Sequence, residues 1–126
     1  MRTAALYAGL HGLLLIVLMA SVSMARRRVK TTLGDGGDPG LTRRIRALGN
    51  FTEYVPFALL LLALSQHLGL GSLYVHLLGL TLLVTRISHA YGISQLDETL
   101  VYRMIGMMGT LLVLLVTSLY CIIAGI

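Results

Sequence analysis

RALGNFTEYVP, residues 46–56, sets an arginine, an asparagine and a glutamate at the head of an apolar run. At about 100° per residue in a helix, Arg46, Asn50 and Glu53 share a stripe roughly 60° wide, with Tyr54 and Phe57 beside it. The wholly apolar part that follows, Val55 to Leu64, is ten residues; that is roughly 15 Å of helix, half of what a bilayer crossing requires. A crossing helix must therefore begin near Leu41 or Thr42, which carries Asn50 and Glu53 below the headgroups and leaves Arg46 near their level. Polar groups taken into hydrocarbon on one stripe have to face protein or water, and an ionisable group at that depth is a functional-site hypothesis.

Three further spans flank this one. Residues 3–25 and 104–126 are each 23 residues without Asp, Glu, Lys or Arg, more than the ~20 needed to cross about 30 Å of hydrocarbon. Between Glu53 and Arg86 lie 32 residues without those charges, broken near Gln66 to Ser72 by a GLGS-containing stretch. That length is too great for one helix and reads as two joined by a tight turn. Composition agrees: 56% hydrophobic, 12% charged, mean hydropathy +0.85. The expected fold is an all-α, integral membrane four-helix bundle forming one domain over 1–126. Its helices cover about 4–25, 42–66, 73–91 and 99–125, with a linker over 26–41. The third helix brings Arg86 and His89 to the depth of Glu53, and Arg103 opens the fourth, so polar side chains from three helices meet at one level.

The linker carries Arg26, Arg27, Arg28, Lys30, Arg43, Arg44 and Arg46 against only Asp35 and Asp38, which by the positive-inside rule places it in the cytoplasm and both termini outside. The glycines and proline of GDGGDPG, residues 34–40, make its middle a flexible loop. A signal peptide is the alternative for the first span, since Ser23-Met24-Ala25 resembles a small-x-small cleavage site. Its apolar region is long for a signal, however, and the charge follows it instead of preceding it. The lone Cys121 cannot make an intrachain disulfide and reads as packing. Net charge +5 and pI near 9.9 are accounted for by a basic linker at a membrane surface, so no nucleic-acid partner is expected. His11, His67, His76 and His89 are scattered without metal-ligand spacing, and no metal site is expected. His11, one turn from Tyr7, reads as a bonded packing residue. Gly106 and Gly109 read as sites of close helix packing, and Met104, Met107 and Met108 as adaptable filling.

Four helices, a basic first loop, Arg46-x-x-x-Asn50-x-x-Glu53-Tyr54-x-Pro56 opening helix two, Arg86-x-x-His89 closing helix three and Arg103 entering helix four together resemble the MAPEG family. That family comprises membrane-associated proteins in eicosanoid and glutathione metabolism. The resemblance spans the chain, and its length and short linker are those of a bacterial, inner-membrane member. It implies a homotrimer with glutathione as co-substrate between adjacent subunits, contacted by Arg46, Asn50, Glu53, Tyr54, Arg86, His89 and at most one arginine of the run from Arg26 to Arg28, with Arg26 and Arg27 the candidates. Arg103 takes the thiolate-stabilising place by its position at the start of helix four, with Tyr102 as the alternative register. Two positions depart from the family pattern: Ile93 stands where a tyrosine is common, and Leu48 where a polar residue is. Guanidinium groups suit glutathione's two carboxylates, Glu53 its ammonium and Asn50 its peptide groups, while a cation beside a thiol lowers its pKa and supplies the nucleophilic thiolate.

The implied activity is a glutathione-dependent transferase or peroxidase working on lipophilic electrophiles that arrive from membrane lipid. A non-catalytic lipid-binding or scaffold trimer of the same fold is the alternative. A small multidrug exporter is disfavoured because the first span has no Asp or Glu. The charge asymmetry makes its own prediction: a reporter fused at Ile126 is active only when it is an extracytoplasmic type, and activity of a cytoplasm-dependent reporter there would invert the topology.

Overall fold

The computed structural model describes residues 1–126 and contains four α-helices and no strand. They are α1 (Arg2–Val29), α2 (Pro39–His67), α3 (Ser72–Ser94) and α4 (Leu100–Gly125), each long and apolar enough to cross a bilayer. Helix ends differ from the sequence reading at the basic end. α1 continues through Arg26, Arg27 and Arg28, because nothing there breaks a helix. It stops at Lys30, which turns left-handed (φ 60°, ψ 41°) and donates its N–H to the carbonyls of Arg26 and Arg27. The three arginines therefore belong to the last helical turn, where cations favour the negative end of the helix dipole, and not to the linker. α2 begins earlier than expected, at Pro39. Asp38 is the reason: its Oδ2 accepts the N–H of Leu41 at 2.8 Å, and proline at the first helical position gives up no bond. The loop left between them is short and turns on Gly34, Gly36 and Gly37, all at positive φ.

Neighbouring helices run antiparallel. At the end carrying the termini, Ala4 N–H donates to Gln66 Oε1 at 2.9 Å, Tyr7 Oη meets His76 Nδ1 at 3.3 Å and Tyr120 Oη donates to the Leu68 carbonyl at 3.5 Å. At the other end Arg44 is bonded to Ser21, and Arg43 of α2 pairs with Glu98 of the α3–α4 connection at 3.4 Å. α2 and α3 each pack against all three other helices, whereas α1 and α4 do not touch. The core is a stack of small apolar clusters along the bundle. Ala4, Tyr7, Leu62 and Val75 lie at the terminal end, Ala58, Leu82 and Val113 between α2, α3 and α4, Leu18, Phe51, Val55 and Ala90 further toward the basic end, and Val22, Ala25 and Leu41 beneath it. Large apolar side chains such as Leu13, Ile16, Ile122 and Ile123 point outward, the distribution a lipid solvent requires. Buried Thr85, Thr110 and Thr117 return their hydroxyl protons to carbonyls one turn back, so no hydroxyl is stranded in the interior.

α3 and α4 approach closely because glycines line the seam. A Cβ added at Gly109 would run into the side chain of Thr85, and one at Gly106 into His89 and the Thr85 carbonyl. Gly79 does the same for α1, admitting the ring of Tyr7. Alanine favours a free helix over glycine by about 1 kcal/mol, so a loss of stability at Gly106 reports the seam alone. Gly106→Ala is expected to lower thermal stability in detergent, by about 1–3 kcal/mol, while Gly9→Ala, with nothing within 4 Å, leaves it unchanged or raised.

Candidate functional site

The polar stripe of α2 divides into an enclosed half and an open half. Asn50 turns inward, where its Oδ1 accepts a hydrogen bond from Arg86 Nη2. Arg86 is 1% exposed, and its Nη1 donates to Thr110 Oγ1 at 3.1 Å. Thr110 has already given its single proton to the Gly106 carbonyl at 2.8 Å, so its oxygen is an acceptor toward the guanidinium. A cation of α3 is thus held by neutral oxygens from α2 and α4. The charge also orients Asn50: its carbonyl oxygen is spent on Arg86, and the amide N–H groups are directed away from it. His89 sits one turn along the same face of α3, likewise 1% exposed, packed against the Gly106 seam. Tyr54 is half-buried, within electrostatic reach of Arg86.

Arg46 and Glu53 lie on the outside. Arg46 Nη1 stands 3.7 Å from Glu53 Oε1, with the two side chains 56% and 52% exposed. The cationic partner of Glu53 is therefore Arg46, two helical turns away on the same stripe. Neither is packed against a helix of its own protomer, which leaves the open cleft or a neighbouring subunit as what they face. An exposed pair of this kind contributes little to stability in water. At membrane level it would be costly to leave against lipid.

Arg103 is in the first turn of α4, facing the basic end. Its Nη1 donates to Glu98 Oε1 at 3.0 Å, and the same carboxylate pairs with Arg43 Nη1 at 3.4 Å. Arg43 also donates to the Ile93 carbonyl at 3.3 Å, near the end of α3. Above this node opens a cleft of about 430 Å³ bounded by Asp35, Thr42, Arg43, Arg46, Ile93 and Arg103. Three guanidiniums face one space there, against the single carboxylate of Asp35. That carboxylate is engaged by the Gly37 N–H at 2.9 Å and the Thr42 hydroxyl at 2.7 Å, which hold its pKa below the usual range. On the lipid-facing side, Arg103 also bounds an apolar groove of about 250 Å³ made by Leu100, Met104, Met107 and Met108.

Of the residues singled out from the sequence, Asn50 and Arg86 meet in one interior cluster with His89 beside them, and Arg46 and Arg103 share the cleft. Glu53 joins through Arg46. Arg26 reaches the linker side of α2, bounding a shallow recess with Asp35, Thr42 and Arg46, and it also bounds a second basic recess with Arg27, Lys30 and Thr31. Three contributors were missed: Glu98, Arg43 and Thr110. Arg43 was legible only as linker charge, and Glu98 lies in a loop, where no periodicity assigns a face. The clue to Thr110 was its position four residues after Gly106, one turn along the seam. No group of three or more His, Cys, Asp or Glu residues is placed to hold a metal ion.

The MAPEG family model matches residues 4–123 of the chain. Inner membrane protein YecN of Escherichia coli K12 is 38% identical over 89 residues, which cover 71% of this chain and 68% of YecN, and the YecN of Escherichia coli O6:H1 matches to the same extent.

The interior cluster makes a direct prediction. Thr110→Val keeps the side-chain shape but removes an acceptor from a buried guanidinium, and hydrogen bonds to charged groups contribute about 1.5–3 kcal/mol. Chemical unfolding in detergent should show a loss of that size for Thr110→Val and a much smaller one for Thr110→Ser, which keeps the oxygen.

Proposed function

The chain belongs to the MAPEG family, and from that premise we propose that it is a glutathione-dependent transferase or peroxidase acting on lipophilic electrophiles. It is an integral inner-membrane protein with four spanning helices. The observation that carries the reading is the position of Arg103, which bounds a polar, arginine-lined cleft on one side and an apolar, methionine-lined groove on the other. A hydrophilic thiol and a membrane-soluble electrophile brought together need those two environments to share one cation. The cleft volume lies in the usual range for small-molecule sites, about 300–1,000 Å³.

In this reading the roles divide by charge. Arg46, Arg43 and Arg26 bind the carboxylates of glutathione, Glu53 its ammonium, and the free amide N–H groups of Asn50 a peptide carbonyl. Tyr54 and Arg27 are peripheral contacts. Arg86 and His89 act from behind, since both are enclosed: Arg86 fixes which end of Asn50 faces the ligand. Arg103 stabilises the thiolate, and the thiol proton leaves through the open cleft to water. Its place in the first turn of α4 adds the positive end of the helix dipole to the guanidinium charge. The sulfur then attacks the electrophile held along the methionine groove. In transfer a C–S bond forms as the leaving group departs with its electron pair, and the charged conjugate leaves through the polar cleft. In peroxide reduction the O–O bond breaks and a second glutathione thiol completes the disulfide, releasing the alcohol to lipid and water to the cleft.

A homotrimer completes the site. The exposed Arg46–Glu53 pair belongs to a protomer surface that needs covering from lipid, and a second subunit supplies the cover. The basic end is cytoplasmic, where glutathione is available.

Arg103→Leu should leave assembly intact, weaken the ultraviolet thiolate absorbance of bound glutathione and lower turnover by about 10²–10³, the usual loss when a transition-state charge stabiliser is removed. Arg46→Leu should mainly weaken glutathione affinity, because it holds an end of the tripeptide in either ionisation state. Equal turnover of wild type and Arg103→Leu at saturating glutathione would remove Arg103 from the mechanism. Absence of glutathione binding in calorimetry would leave the lipid-binding scaffold as the better reading.

A further inference from the structure

Arg103 does not present a free charge to the cleft. Its Nη1 is 3.0 Å from Glu98 Oε1, and Glu98 is shared with Arg43 at 3.4 Å. The Glu98 side chain is only 11% exposed, while that of Arg103 is 45% exposed. Glu98 Oε2 is buried with no protein donor, so the carboxylate's hydrogen bonding is concentrated on Oε1. The carboxylate thus lies beneath the two guanidiniums, and their cleft-facing sides remain open. This arrangement has a consequence for any anion above it. A carboxylate at 3 Å from a cation cancels part of the field that cation exerts a few ångströms further on, and the partial enclosure of Glu98 reduces the screening that water would otherwise provide.

We propose that Glu98 is a positioning residue that sets the thiolate-stabilising strength of Arg103, holding the guanidinium over the cleft while taking up part of its charge. The inference rests on the glutathione reading above and adds a residue that neither the family resemblance nor the sequence pattern assigns. Two effects follow. At a membrane surface an unpaired, half-exposed arginine is drawn toward lipid phosphate, and Glu98 keeps it turned to the cleft. In exchange, bound thiol ionises at a higher pH than an unshared Arg103 would impose. Because Glu98 lies in the 95–99 connection, the strength of Arg103 is tied to the conformation of that loop. Arg43 then links it in turn to the end of α3 through the Ile93 carbonyl.

Other charged and titratable groups surround the node on every side. They are Arg43 and Arg46 from α2, Asp35 from the linker, His89 from α3 within electrostatic reach of both Glu98 and Arg103, Tyr102 on α4, and Asp97 in the same loop. Asp97 forms no ion pair, which makes it the internal control: neutralising it removes the same formal charge from the same loop without touching Arg103.

The test is a pH titration of the ultraviolet thiolate absorbance of glutathione bound to the detergent-purified full-length protein, with affinity followed separately by calorimetry. Glu98→Gln should lower the apparent pKa of the bound thiol by about one unit, the lower end of the usual effect of a neighbouring charge. Glu98→Asp, which withdraws the carboxylate by one methylene and keeps its charge, should lower it by a smaller amount. Asp97→Asn should leave it in place. Should Glu98→Gln fail to fold, the aspartate variant alone decides, because a purely structural role predicts weaker binding with an unmoved pKa. Bound glutathione with the same pKa in every variant overturns the role of Glu98 and leaves the proposed function standing. A wild type that binds no glutathione removes the function and this inference together.

Discussion

A guanidinium enclosed by a helical bundle must be given oxygen acceptors, and Arg86 takes them from two other helices. Asn50 of α2 and Thr110 of α4 converge on one side chain of α3, so the three helices are fixed in rotation and in height at that level. Removing a neutral acceptor from a buried charge costs about 1.5–3 kcal/mol. That figure makes the contact a strong determinant of register in a bundle whose apolar clusters are small. The glycine seam is the companion of this constraint. α4 reaches Arg86 through Thr110 only because Gly106 and Gly109 let it lie against Thr85 and His89.

Fixing α2 in this rotation decides what remains outside. With Asn50 turned in, residues on the flank of the same stripe turn out, and Arg46 and Glu53 are left on the protomer surface. The basic end is then organised in two layers. Within the bundle, one cation is held through its two terminal nitrogens by neutral dipoles; at its mouth, Arg43 and Arg103 share a carboxylate beneath an open cleft. The inner layer resists change because both terminal nitrogens of Arg86 are bonded across helices. The outer one has charge to exchange, since its guanidiniums are partly exposed and the cleft is open to solvent.

The number of helices, their crossing length and the gathering of Arg46, Asn50, Glu53, Arg86 and Arg103 toward one end were all legible in the sequence, because each depends on hydropathy and on a 3.6-residue period. The division of the α2 stripe was not. A stripe 60° wide can straddle the boundary between a packed and an exposed face, and only the acceptors offered by α3 and α4 decide which side each residue takes. Glu98 escaped for a different reason: in a loop the backbone carries no period, so a carboxylate five residues before Arg103 has no assigned direction. The true end of α1 was missed because a run of basic residues was read as loop, although arginine is a good helix former and a stop signal comes only at Lys30.

The extension of α1 through Arg28 changes what the Arg26-Arg27-Arg28 triplet is. In an unstructured linker the three would be interchangeable, any one swinging into the place of another. Locked in a helical turn closed by Lys30, they point in directions about 100° apart: Arg26 lies between the recess shared with Arg46 and one it shares with Arg27 and Lys30, and Arg28 faces a third recess with Ser21 and Arg44. Overlap within the triplet is therefore confined to Arg26 and Arg27, which share one recess. Loss of Arg28 cannot be covered by its neighbours, and a single-residue insertion earlier in α1 would readdress all three at once while leaving the composition of the segment almost untouched.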